Sequence, residues 1–299
     1  GGGTSKNTVK IASHIKDKYN VPSLAHLTCV SSTKEEVHQV IDQLKAAGIE
    51  KVPKSWDEFQ TMCDQISEWA LNEKNEVKAL QPTAEGYLYC MDHMLAGSED
   101  SRFEGHNLIF QDEIFNNAIN RMKRMYNSAI SENAEYSYRD ETHLFNEGKL
   151  AIYINGVWGA PMISKQIDAK YALLPTDGGE SMSCISSGLG YVLGNSGNEE
   201  KEKAAVKFLK YMLSKKVQTK ILEKTEQIPA NPDISLESYK ESKSRLYQAA
   251  TLVLETDEKI EVPNNIWSAE QKDYFIKTIF DVLTGTLSIQ EFEEGLENK

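Results

Sequence analysis

Leu144-Phe145-Asn146-Glu147-Gly148-Lys149-Leu150-Ala151-Ile152-Tyr153-Ile154-Asn155-Gly156-Val157-Trp158-Gly159 begins as an amphipathic segment, passes through a glycine into an apolar strand, and stops at a glycine-flanked tryptophan. Ile152 and Ile154 alternate with Tyr153 and Asn155, the period of two that sends neighbours to opposite faces of a strand. Gly156 and Gly159 predict a sharp backbone turn that stands the indole of Trp158 out of the strand end. Helix, glycine and strand in that order are the grammar of an α/β fold. Trp158 equally fits a core position, because large aromatics are buried more often than they are displayed.

Composition narrows the field around this segment. The chain has 299 residues, 40% of them hydrophobic, enough for one large domain or two ordinary ones with a sizeable core. A formal net charge of −12 opposes binding to a phosphate backbone, and no Lys/Arg cluster interleaved with aromatics offsets it. Nucleic acid is therefore not an expected partner. No apolar run approaches the roughly 20 residues needed to span a bilayer. Cys29, Cys63, Cys90 and Cys184 form no closely spaced pair, and the six histidines lack zinc-protease spacing, so neither a metal nor a redox motif is expected. The chain opens at Gly1 with no signal or lipid-anchor segment, which is read as processing or truncation.

Upstream, the phrase Ala47-Gly48-Ile49, then Val52-Pro53-Lys54-Ser55-Trp56-Asp57-Glu58-Phe59, places a proline break before an N-cap serine with Glu58 completing a capping box. Tyr171 to Pro175 reads as a strand before the Asp177-Gly178-Gly179 loop, and Ser187 to Leu193 as another strand. Asn198 opens a helix with Ala204, Ala205, Phe208, Leu209 and Met212 on one face; Ile228-Pro229-Ala230-Asn231-Pro232 is a loop, and Ser288 with Glu291 caps a closing helix. Together with the segment ending at Trp158, these phrases over about residues 46–299 resemble the extracytoplasmic solute-binding proteins of ABC importers, of the maltose and oligosaccharide type. The resemblance implies a type II periplasmic-binding-protein-like α/β fold. Residues 51–185 and 236–299 would form the second lobe, and 186–235 a remnant of a truncated first lobe.

The same resemblance implies an oligosaccharide ligand, ABC importer membrane subunits as partners, an extracytoplasmic location (periplasmic or cell-surface) and no enzymatic activity. Trp158 would be the sugar platform, since aromatic faces suit sugar C–H surfaces while hydroxyls need directional polar partners. Glu85-Gly86-Tyr87 stands where the family places an acid and a stacking ring, with Tyr89 replacing Tyr87 if the register slips, since alternate residues share a face of an extended segment. Glu85 also fits a solvated helix-start acid. Asn155 is an accessory polar contact or a turn residue, Trp267 a second cleft aromatic, and Trp56 structural. A glycosidase is the enzymatic alternative, with Glu85 paired to Asp177 or Glu180.

Residues 1–50 read differently. A glycine-rich start, apolar positions at Val9, Ile11, Ala12 and Ile15, a strand over 23–30, and a capping box at Thr33 and Glu36 predict helix, strand, helix. Gly1 to Ser5, Asn7-Thr8-Val9 and Ala25-His26-Leu27-Thr28-Cys29-Val30 resemble a fragment of methylenetetrahydrofolate reductase, a (β/α)8 barrel flavoenzyme, which makes the chain an apparent chimera. By that resemblance His26 and Leu27 would inherit contact with FAD. The family's later acid-bearing loop is absent, and about two of eight barrel units cannot close, because their strand edges have no partners. A fragment without activity, or a non-functional chimera, is thus the alternative to a sugar-binding protein.

Overall fold

The computed structural model describes residues 27–28, 52–72, 77–98, 110, 113–129, 137–165, 167–178, 180–185 and 190–299. Helix α1 (Trp56–Asn72) begins where Ser55 Oγ accepts the Glu58 amide at 3.2 Å, while the Glu58 carboxylate reaches one residue further back than a regular capping box and accepts the Lys54 amide at 2.8 Å. Its residues Trp56, Phe59, Cys63 and Ile66, spaced by three and four, are all buried. They pack with α2 (Ala84–Ala96) and α3 (Glu113–Ala129) in one large apolar cluster.

The cluster is closed from the C-terminal end of the chain. Helix α8 (Ala269–Thr284) packs on α2, α3 and α9 (Ile289–Glu297), and both α8 and α9 open with complete capping boxes, at Ser268 and Ser288. Phe275 is fully buried between Trp267 and Phe292, with ring centroids 5.7 Å from each. An aromatic ring so enclosed is worth several kcal/mol when intact.

Between these helices lies the segment quoted at the outset. Helix α4 (Tyr138–Asn146) starts at a Ser137 capping box and ends through Gly148, whose φ of 71° is the left-handed conformation that favours glycine. The chain then runs extended and parallel to residues 78–79, with amide-to-carbonyl bonds Lys78 to Lys149, Ala151 to Lys78 and Ile152 to Ala79 of 2.9–3.0 Å. The expected alternation holds: Ile152 and Ile154 face the large cluster, while Tyr153 stacks on Phe145 in a smaller one.

Two short strand pairs complete the described sheet structure. Leu27–Thr28 (β1) pairs antiparallel with Ile167–Asp168 (β2), so the N-terminal segment touches the body at that point. Met182–Ile185 (β3) pairs parallel with Glu258–Glu261 (β4). The long crossover between β3 and β4 holds α5 (Glu199–Met212), α6 (Lys215–Thr225) and α7 (Ser244–Leu254). Asn198 caps α5 as expected, its Oδ1 accepting from the Glu200 and Lys201 amides, yet none of the helix's residues is buried.

Several expectations meet a different structure. Residues 190–193 are exposed and form no strand, because no described segment offers them a ladder. Residues 171–175 are likewise irregular, although Leu174 still packs on the large cluster. The expected helices of residues 1–50, the Thr33 cap and Cys29 lie outside the described residues. Cys63, Cys90 and Cys184 are free thiols, and burial pushes all three above the usual thiol range.

Candidate functional site

Trp158 is half exposed, which places it at the surface and not in the core. It sits in a single 3-10 turn, Val157–Met162, that packs against α7. Arg245 of α7 fastens the far side of that turn, donating to the carbonyls of Ile163 at 2.6 Å and Ile167 at 2.5 Å. The two flanking glycines serve this geometry by lacking side chains. Gly156 has an ordinary extended backbone, with φ −82° and ψ 174°, but a Cβ there would fall 2.2 Å from the Trp158 ring. A Cβ on Gly159 would fall 2.6 Å from Asn155 Nδ2. Close approach, and not the unusual backbone freedom anticipated from sequence, is what these positions require.

Across from the indole stands Tyr89, its ring edge-on at a centroid distance of 5.8 Å. Glu85-Gly86-Tyr87 is the first turn of α2 and not an extended segment, since Thr83 Oγ1 accepts the Gly86 amide at 3.1 Å as an N-cap. A helix changes which residues share a face. Glu85 and Tyr89, four apart, share a side of the helix, and Tyr89 meets the indole, whereas Tyr87 turns inward, is 1% exposed, and meets Phe280 in the core. Tyr87 therefore has no free face for stacking, and it is helical spacing rather than register slip that brings Tyr89 beside the indole.

Trp267 is also a core residue, 5% exposed and packed against Phe110 and Phe275, with its indole nitrogen lacking a partner. It directly follows the 3-10 turn Pro263–Ile266 that leads into α8. Trp56 is structural as expected, edge-on to Phe59 and His93.

Asn155 ties the wall of the site together. Its Nδ2 donates to Tyr138 Oη at 2.8 Å and Tyr153 Oη at 2.5 Å, and its Oδ1 accepts the Gly156 amide at 2.8 Å. Tyr153 Oη also lies 2.9 Å from Thr142 Oγ1. The outcome is a polar-edged aromatic surface of Tyr89, Tyr138, Tyr153 and Trp158.

Glu141, on the first turn of α4, was not legible as a site residue. It is 1% exposed, burial pushes its carboxyl up to about 8, the Thr83 amide lowers it, and the nearby Glu85 carboxylate raises it. Among the described residues its Oε1 has no hydrogen-bond partner. Only the Ser137-to-Asp140 capping box, which orients the first turn of α4, signals in sequence that Tyr138 and Glu141 share a side. Burial and the nearby acids Glu85, Glu141 and Asp92 likewise push the Tyr89 hydroxyl up to about 12.

No catalytic pair assembles. Asp177 is bonded to Arg121 at 2.5 Å, and Glu180 contributes its backbone carbonyl to Thr176. Among the described residues no group of three His, Cys, Asp or Glu side chains is placed to hold a metal ion. His26 lies outside the described residues, and of the reductase-like segment only Leu27–Thr28 is described.

A family model for bacterial extracellular solute-binding proteins matches residues 17–249. No curated protein matches the chain. Among solved structures it is similar to a Streptococcus pneumoniae solute-binding protein in complex with the blood group A-trisaccharide, at 21% identity and a TM-score of 0.67, over 83% of this chain and 64% of that one. It is similar to a chitin oligosaccharide binding protein at 16% identity and a TM-score of 0.65, over 85% and 65%. Maltose-bound MalE3 of T. maritima gives 17% identity and a TM-score of 0.56, over 86% and 67%. At such identities the likeness establishes the fold, a periplasmic-binding-protein-like α/β fold. The chain spans slightly less than two thirds of the first two of these structures.

Proposed function

The chain belongs to the bacterial extracellular solute-binding proteins, and from that premise we propose that it binds an oligosaccharide for an ABC importer outside the cytoplasmic membrane, with the sugar lying on Trp158. The observation that carries this reading is the half-exposed indole laid against Gly156 and faced by Tyr89. A ring held in place on one side and open to solvent on the other is preorganised for a sugar's C–H face. Asn155 and the hydroxyls of Tyr138 and Tyr153 supply donors and acceptors at the rim, and Glu85 accepts from a sugar hydroxyl. Tyr87 and Trp267 support the site from the core and do not touch ligand.

The printed ligands of the three structural neighbours, a blood group trisaccharide, a chitin oligosaccharide and maltose, agree with a saccharide. Residues 51–185 with 236–299 form the lobe that bears the site, and 186–235 belong to the facing lobe. The parallel β3–β4 pair, entered and left by the excursion of 186–257, suits that division. The protein binds and releases its ligand without chemistry.

Thermal unfolding with malto-, xylo- and chito-oligosaccharides, followed by tryptophan fluorescence, tests the reading. One glycan class raises the midpoint, since ligand at a hundred times its Kd adds about 2.7 kcal/mol. Trp158→Ala abolishes the shift and leaves the unliganded midpoint in place. A shift that survives Trp158→Ala contradicts the assignment of the platform.

A further inference from the structure

The acid nearest solvent beside the aromatic surface is Glu85, which acts on both Tyr89 and Glu141. The positive N-terminus of α2, which in another setting attracts an anion, is already engaged: Thr83 Oγ1 takes the Gly86 amide, Glu85 sits in the first turn, and Glu141 bonds the Thr83 amide. Glu85 is exposed and one helical turn from Tyr89, whose ring meets Trp158. Behind it, the buried Glu141 keeps Oε1 unpartnered among the described residues, between the N-terminal turns of α2 and α4. An exposed carboxylate one helical turn from an aromatic pair supplies the two elements that recognise an organic cation, one by charge and the other by ring quadrupole.

We propose that the ligand of this site is an amino-bearing saccharide, whose ammonium lies between the Glu85 carboxylate and the Tyr89 and Trp158 rings. The proposal rests on the sugar-binding reading above and adds the charge of the sugar. A uronic-acid glycan of the same length is rejected, because its carboxylate would be desolvated beside that of Glu85. A neutral glycan keeps the stacking and loses the ion pair.

Isothermal titration of the full chain at pH 6.0 with glucosamine, N-acetylglucosamine and galacturonic acid oligomers of equal length, and with trilysine, separates the possibilities. The expected result is at least tenfold tighter binding of the amino oligomer than of the neutral one, and none of the acidic one. Glu85→Gln weakens the amino oligomer at least tenfold more than it weakens the neutral one, so that the variant binds the two alike; circular dichroism confirms that the variant is folded. Equal or tighter binding of the neutral oligomer by the wild type overturns the proposal and leaves the sugar-binding reading intact. Binding of trilysine as tight as that of the amino oligomer overturns it in favour of a cation site indifferent to sugar. Binding of no saccharide overturns both readings.

Discussion

Helices α8 and α5 have similar apolar stripes in sequence and opposite fates in the structure. Phe275, Ile279, Val282 and Leu283 of α8 are all at most 2% exposed, whereas Phe208 of α5 is 57% exposed and Leu209 and Met212 are only half-buried. Period alone creates a face; a second layer creates burial. α8 has α2, α3 and α9 against it, while α5 contacts α6 and holds its shape by local means: the Asn198 cap, acids at Glu199, Glu200 and Glu202 in its first turn, and the Lys203–Glu199 pair at 2.7 Å. The difference teaches that the crossover of 190–235 contributes little to the cohesion of the described structure, and that the candidate site is built on the dense part.

Deleting a ring in each region gives the largest contrast. Phe275→Ala costs about 3 to 5 kcal/mol in urea unfolding, the cost of emptying a filled aromatic site. Phe208→Ala changes stability by less than about 0.5 kcal/mol, as an exposed substitution does. Equal losses would show that the stripe of α5 is buried in solution.

A pH series sharpens the same contrast through Glu141. Its folded carboxyl titrates near 8, against 4.5 for the ordinary side chain. Between those values the folded protein holds a proton that the unfolded chain has released, so stability falls as pH rises, by up to about 1.4 kcal/mol per pH unit from this group. Asp92, raised to about 6, and His93, lowered to about 4, both by burial, have finished most of their change by pH 6.5. Glu293, raised to about 7 by burial and then by Glu297, adds a fall of the same sign, so Glu141→Gln reduces the slope of the denaturant midpoint between pH 6.5 and 8 without removing it, and gains most on the wild type at the upper end. A wild-type slope that persists undiminished in the variant assigns it elsewhere.

Gly156→Ala is a smaller change with a local target. The added Cβ displaces the Trp158 indole, so saccharide affinity drops at least tenfold, about 1.4 kcal/mol, while the urea midpoint moves little. Unchanged affinity would mean that the indole's present placement is not the binding placement. Smallest of all is Arg121–Asp177, a partly exposed pair; a double-mutant cycle should give less than about 1 kcal/mol.

What could be read in the sequence was what local chemistry decides. The caps at Ser55, Asn198 and Ser288, and the alternation from Ile152 to Asn155, depend on neighbours within a few residues, and the structure has all of them. Trp158 stood out because glycines flank it, Gly156 leaving room for the indole and Gly159 for Asn155. Tyr87 and Trp267 could not be sorted from surface aromatics, because their burial comes from Phe280 and from Phe110 and Phe275, far away in the chain. The sequence leaves Glu85 open between an extended segment and a helix start; the structure has the helix start, capped by Thr83, and that difference puts Tyr89 and not Tyr87 beside the indole. Glu141 is recognisable only from its bond to the Thr83 amide, which joins the first turn of α4 to the start of α2.

The most direct test is hydrogen–deuterium exchange of the full chain, with and without a saturating concentration of the tightest-binding saccharide. The account predicts slow exchange in α2, α3 and α8 and fast exchange in α5 without ligand, and new protection on binding at 85–89 and 138–159. Protection by the saccharide that appears in α5 and leaves 138–159 unchanged would contradict it.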